Sequence, residues 1–254
     1  VTGSVILAKQ SGLGDGLLFG PYDMSGDVQQ LSSLSTPRGV LDFTGIDKSA
    51  TERQTSTKDG ALGMTTFFNP GPAASAAHLV ARALPYTDVQ LAYLRGTALG
   101  SPAFCILGKQ TTYDGSRGAD GSFTFNVNAV ANGFAAEWGD QLTPGPRTDV
   151  TATTPASGVD LTDVSTAFGW SAYLHVLAFT GTSVTMTLGD SADNAAFTAL
   201  SGGAFAAATA IGVQRIAGGP TAVVRRYLRV ATSGTFTSAT FAAVFVRNRA
   251  DALL

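Results

Sequence analysis

The stretch "GSFTFNVNAVAN", Gly121 to Asn132, alternates without a break. Phe123, Phe125, Val127 and Ala129 fall on one side. Ser122, Thr124, Asn126 and Asn128 fall on the other. A period of two over this length is the signature of a strand with one buried and one solvated face, because successive Cβ atoms point to opposite sides of the pleat. A helix cannot carry this pattern, so the chain around it must build a sheet.

Further segments read the same way. "RGVLDFTG" and "ALGMTTFFN" are strand candidates, and "FCILGKQTTY" pairs with the alternating stretch through a turn in "YDGSRGADG". In the second part, "SVTMTL" places Val184, Met186 and Leu188 on one face, with "RRYLRV" and "TFAAVFV" as further short strands. "NAAFTALSGGAFAAATAIGVQ" reads as two strand pieces around an "SGG" turn, too poor in large apolar residues to span a membrane as a helix of about 20 residues. The fold class is therefore mainly β. The patterning reads as an N-terminal β-sandwich with one helix packed on a face or end and a C-terminal β-sandwich or jelly-roll-like unit. The Pro- and Gly-rich "LTPGPRTDVTATTPASGVD" divides them, giving units over 1–146 and 160–254 with a linker over 147–159.

The helix is expected between Pro72 and Pro85, in "NPGPAASAAHLVARALP". Proline suits a first turn and stops a last one. Ala77, Val80, Ala81 and Leu84 recur at helical spacing and form its packing face, with His78 on the solvated side.

Charged residues make up 13% of the 254, against about 25% in an ordinary soluble chain. A surface so thinly charged is either a Thr/Ser-rich one or one covered by other subunits. The net charge of −2 argues against a protein that grips nucleic acid, which needs clustered Lys and Arg. A single cysteine, Cys105, in the apolar run "PAFCIL", excludes an internal disulfide framework and reads as a buried hydrophobe. The start "VTGSVILAKQ" lacks the basic head and long apolar core of a signal peptide.

No motif marks catalysis. His78 and His175 have no metal-ligand spacing, and His175 reads as a strand-surface or satisfied core residue. "GLGDG", Gly12 to Gly16, is followed by "LLFGPYD" rather than the helix a dinucleotide loop requires. No GxSxG elbow or marked carboxylate pair occurs. The expectation is a non-enzyme with no catalytic, metal or cofactor residues. Against the sparse charge elsewhere, "DKSATERQTSTKDG" gathers Asp47, Lys48, Glu52, Arg53, Lys58 and Asp59. It is either a solvated loop or a hairpin arm that reaches a neighbouring subunit and uses mixed charge to set register.

The ordered ensemble strand, charged arm, "FFN", short helix, "GTALG", "YD…DGS" hairpin and "EWG" resembles the major tail tube proteins of long-tailed, siphovirus-like bacteriophages. The second part resembles the C-terminal β domain appended to such proteins in actinobacterial phages. The resemblance implies homo-hexameric rings stacked into a tube, a virion location after assembly in the bacterial host cytoplasm, and transient non-specific passage of double-stranded DNA. It implies tape-measure, tail terminator and distal tail proteins as partners, and no membrane insertion. Asp47, Lys48, Glu52, Arg53, Lys58 and Asp59 would form the inter-ring arm. Ser122, Thr124, Asn126 and Asn128 would face the lumen or a neighbouring subunit. The fold the resemblance implies for the first part is a β-sandwich or open barrel with one flanking helix, which would close its outer side. A capsid-decoration or connector protein and a carbohydrate-binding adhesion module are the alternatives.

Overall fold

The computed structural model describes residues 11–249. The strand-like "SVILA" and the last five residues lie outside the described residues. Strands dominate, as the alternation demands. The first half contains β1 (Gly16–Phe19), β2 (Tyr22–Asp23), β3 (Val28–Ser35), β4 (Arg38–Asp42), β5 (Arg53–Lys58), β6 (Ala61–Phe67), a helix α1 (Ala77–Ala81), β7 (Val89–Leu94), β8 (Pro102–Arg117), β9 (Phe123–Ala131) and β10 (Glu137–Gln141). The second contains β11 (Arg147–Asp149), β12 (Val159–Thr166), β13 (Trp170–Ser191), β14 (Thr198–Ala204), β15 (Gly212–Gly218) and β16 (Val224–Arg247).

The first half is folded around β8. Its early residues pair with β7 and β10, and its later ones with β9, which continues to β6 and β3. Gly108 sits at the changeover, paired with both Val89 and Ala131. A Cβ there would lie 2.0 Å from the Val130 carbonyl oxygen, so only glycine permits the approach. The two layers enclose one core of Leu17, Phe19, Met64, Leu91, Phe104, Ile106 and Val127, among others. Fully burying a side chain of this size stabilises by about 1.5–3 kcal/mol.

"PAFCIL" is apolar without alternation because both of its faces are covered. Phe104 and Ile106 enter the first core, while Ala103 and Cys105 meet Tyr173, Ala242 and Val244 of the second half. The second half is organised by β13 and β16, which pair from Trp170↔Arg247 to Ser191↔Tyr227. Both ends of β13 contribute to one core: Trp170, Leu174 and Val176 from the first, Val184, Met186 and Leu188 from the second.

Several sequence expectations need correction. "RRYLRV" and "TFAAVFV" belong to the single strand β16, and "SVTMTL" shares the single strand β13 with His175. Bulges near Val176/Ala178 and Gly181/Ser183 bend these long strands where separate strands are expected. "SGG" does not turn. It lies inside β14, where the register jumps between Thr187↔Ala204 and Gly189↔Ala199, a bulge with Gly202 at φ 73. Asp114–Gly115 is strand, and the hairpin turns at Asp120–Gly121, because Gly115 packs under the Phe125 ring. Inside the expected linker, Arg147–Asp149 pairs with β16 at Phe241 to Ala239.

The helix is also shorter than its proline bounds. It runs only from Ala77 to Ala81. Leu84, expected on its packing face, has φ 41 and is 43% exposed. Ala77 and Ala81 are fully buried in the first core and Val80 packs against it. One turn and a half suffices because Asp27 Oδ2 accepts the Ala77 N–H at 2.9 Å, replacing a side-chain cap from the neighbouring residue. His78 is half-buried rather than fully solvated. Its Nδ1 lies 2.8 Å from the Tyr113 hydroxyl, and its ring meets Phe68 edge-on at 4.8 Å.

Candidate assembly surface

β4 and β5 form a two-stranded sheet of their own, unpaired with the main sheet among the described residues. Their register runs from Arg38↔Lys58 at the base to Asp42↔Arg53 near the tip. Every residue of β4 is exposed, and nearly all of β5. The tip is ordered by its own polar groups. Asp42 Oδ1 accepts from the Thr44 N–H at 2.9 Å and from its hydroxyl, which holds the Asp42 carboxyl below the usual range. Thr44 Oγ1 accepts the Glu52 N–H at 2.9 Å, and Lys48 lies 3.5 Å from Glu52. The structure therefore brings Asp47, Lys48, Glu52, Arg53, Lys58 and Asp59 together on one projecting hairpin, with Lys58 and Asp59 at its base.

Charge is half of the arm's character. Val40, Leu41, Phe43 and Ile46 are all exposed along it, Phe43 at 60%. The charge pattern alone does not reveal these. The available signal is the apolar set in "VLDFTGI" beside a charged run. An isolated two-stranded hairpin is marginal in water. This one is anchored where Gly60 passes Ala136: a Cβ on Gly60 would lie 2.3 Å from the Ala136 Cβ.

The second predicted face also forms. The pairing places Ser33, Gly63, Asn128 and Thr112 in one row and Gln30, Thr65, Asn126 and Asp114 in the next. Thr124 and Ser116 follow, while Ser122 lies in the turn, its hydroxyl donating to Asp120 at 2.7 Å. Asn128 Nδ2 donates to Thr112 Oγ1 at 2.9 Å, and Thr65 Oγ1 to Asn126 Oδ1 at 3.1 Å. These rows carry no lysine or arginine. Lys109, at the end of the face opposite Val130, lies 2.8 Å from Asp88.

The remaining sequence candidates are structural. Asp15 of "GLGDG" accepts from Arg95 at 2.8 Å and from the Gly96 N–H at 2.8 Å, and β1 follows rather than a helix. Cys105 is fully buried, which pushes its thiol well up. His175 is a satisfied core residue. It sits between the halves, its Nδ1 2.7 Å from the Gly20 carbonyl oxygen. Nearby, Glu137 of "EWG" accepts from Ser171 at 2.7 Å and Tyr173 at 2.6 Å and pairs with Arg215 at 3.4 Å. Burial, with Glu137 beside it, raises the Tyr173 phenol strongly, so it stays a donor. Among the described residues no group of three His, Cys, Asp or Glu side chains is placed to hold a metal ion, and no helix is long and apolar enough to cross a membrane.

No protein-family model and no curated protein matches this chain. Among solved structures, a chain from the tail of an empty gene transfer agent particle, refined with C6 symmetry, is 12% identical at a TM-score of 0.38. The match covers 51% of this chain and 98% of that one. The Dit protein of phage SPP1, a hub of the adsorption apparatus, is 12% identical at 0.33, covering 92% and 99%. A chain of the phage p2 baseplate in its activated conformation is 9% identical at 0.34, covering 93% and 99%.

Proposed function

We propose that this chain is a structural virion protein. Six copies form a ring, and the rings stack into a phage tail tube that conducts DNA during ejection. The carrying observation is the β4–β5 arm, a hairpin outside the main sheet that exposes four large apolar residues. A monomer gains nothing from ordering such an element, whereas a neighbour that covers it recovers the apolar area. Among the described residues β3 pairs on one side only, which supports the same reading, since an open strand edge invites a lateral partner and cyclic symmetry can close the series.

The face of Asn126, Asn128 and Thr124 suits the channel wall. Phosphate binds through cation contacts that release counterions, and a neutral to acidic wall lets the duplex slide instead. The role is passive: no bond is made or broken. Negative-stain microscopy of concentrated full-length protein tests the reading. Stacked rings or tubes are the expected result. A monodisperse monomer at every concentration overturns it.

A further inference from the structure

The base of the arm carries a feature its tip can complete. Arg38 and Lys58 stand directly opposite each other in the two-stranded ladder. Like charges at that position are destabilising. Among the described residues neither has an ion pair. Both line a groove of about 400 Å³ whose wall includes Trp138, 47% exposed. The other charged groups at the groove are engaged. Glu137 is held by Ser171, Tyr173 and Arg215, and Arg247 donates to Thr166 and Val224. Arg249 also lines it and has an interaction of its own. Asp59, beside Lys58, accepts the Gly60 N–H at 2.7 Å.

The tip offers the complement. Ile46 projects completely into solvent, and Asp47 beside it has no ion pair among the described residues. Lys48 and Glu52 pair with each other, and Arg53 stands opposite Asp42. The tip cannot serve its own groove. The ladder from Arg38↔Lys58 to Asp42↔Arg53 separates them by four residue steps, roughly 13 Å at a strand's rise.

We infer that the groove at the arm's base receives the arm tip of a second copy of this chain, with Asp47 between Arg38 and Lys58 and Ile46 against Trp138. Tip-to-base contact is heterologous and leaves a tip and a groove unused on every pair, so it propagates. The inference deepens the stacking reading above by naming the surface that receives the arm.

The test mixes two full-length variants, Ile46→Cys and Thr36→Cys. Thr36 lines the groove and is exposed, so neither change disturbs a core. Native Cys105 is buried and stays silent. Under mild oxidation, the mixed cross-link is expected to form about tenfold faster than either self-cross-link, because a docked pair raises the effective thiol concentration. Arg38→Glu with Lys58→Glu in the Thr36→Cys protein should abolish that excess, and Asp47→Lys in its partner should restore it. Tubes from the parent protein without the mixed cross-link overturn the docking and leave the tube reading standing. The cross-link without tubes does the reverse, and the absence of both removes both. A mixed rate no greater than the self rates, with quenching of Trp138 emission by a short DNA duplex, assigns the groove to phosphate and overturns the self-contact.

Discussion

Nε2 of His175 lies 3.1 Å from the side-chain amide nitrogen of Gln90, across the boundary between the two halves of the chain. The roles are forced by chemistry. Nδ1 faces the Gly20 carbonyl, which only accepts, so Nδ1 carries the proton. Nε2 must then accept from the Gln90 amide, whose other hydrogen goes to the Leu174 carbonyl at 3.0 Å. A second proton on the ring would set donor against donor in a fully buried site.

Stability should therefore fall with acid in a defined window. Burial lowers His175 to about 4 from an ordinary 6.5. The unfolded chain takes up the proton first, so the cost begins as pH drops below about 6.5 and is complete near 4. At 1.36 kcal/mol per unit the total is roughly 3 kcal/mol. Denaturant unfolding at a series of pH values checks it. His175→Gln should flatten that segment of the profile, and an unchanged slope would refute the assignment.

The pair Glu137 and Arg215 makes a second prediction. Their side chains are 13% and 8% exposed, and Arg215 also covers Phe134 at 3.8 Å. Arg215→Met leaves a buried carboxylate short of its cation and should cost about 3 kcal/mol. Adding Glu137→Gln should recover more than half of that loss. A double-mutant cycle by chemical denaturation reads the coupling.

Gly60→Val should damage the arm's anchorage. Its side chain would need the space held by Ala136, in a close-packed region where overpacking costs typically 1–3 kcal/mol. Lowered thermal stability and fewer or shorter stacks are expected together. Wild-type behaviour in both would show that the approach to Ala136 is slack.

Excision of the arm separates folding from assembly. Replacing Val40–Thr55 by Asn-Gly removes no residue of the three cores. The unfolding free energy should stay within about 0.5 kcal/mol of the parent, as for surface changes in general. Stacking should be lost. Tubes of parent length would show the arm to be only a solvated loop.

The strand content, the polar row around Asn126 and Asn128 and the concentration of charge from Asp47 to Asp59 are legible in the residues, because each depends on neighbours two positions away or on local composition. The burial of Cys105 is legible for the same reason: a run apolar on both faces has no solvated side. The helix length is not. Its prolines bound a segment, but Asp27, fifty residues earlier, caps it at Ala77, and the left-handed Leu84 lies beyond its end. The apolar half of the arm is missed because Val40 and Leu41 look like core until their partners are known.

The alternation around Val127 determined by itself that this chain builds sheets, since side-chain direction in a strand follows from covalent geometry alone. Which strands meet was decided only by the tertiary structure. β13 and β16 run as single bent strands because they cover each other along their lengths, and His175 is neutral because Gly20 and Gln90 arrive from far away in the chain. Pairing partners, burial and the charge state of an enclosed ring depend on atoms distant in sequence, and no local pattern encodes them.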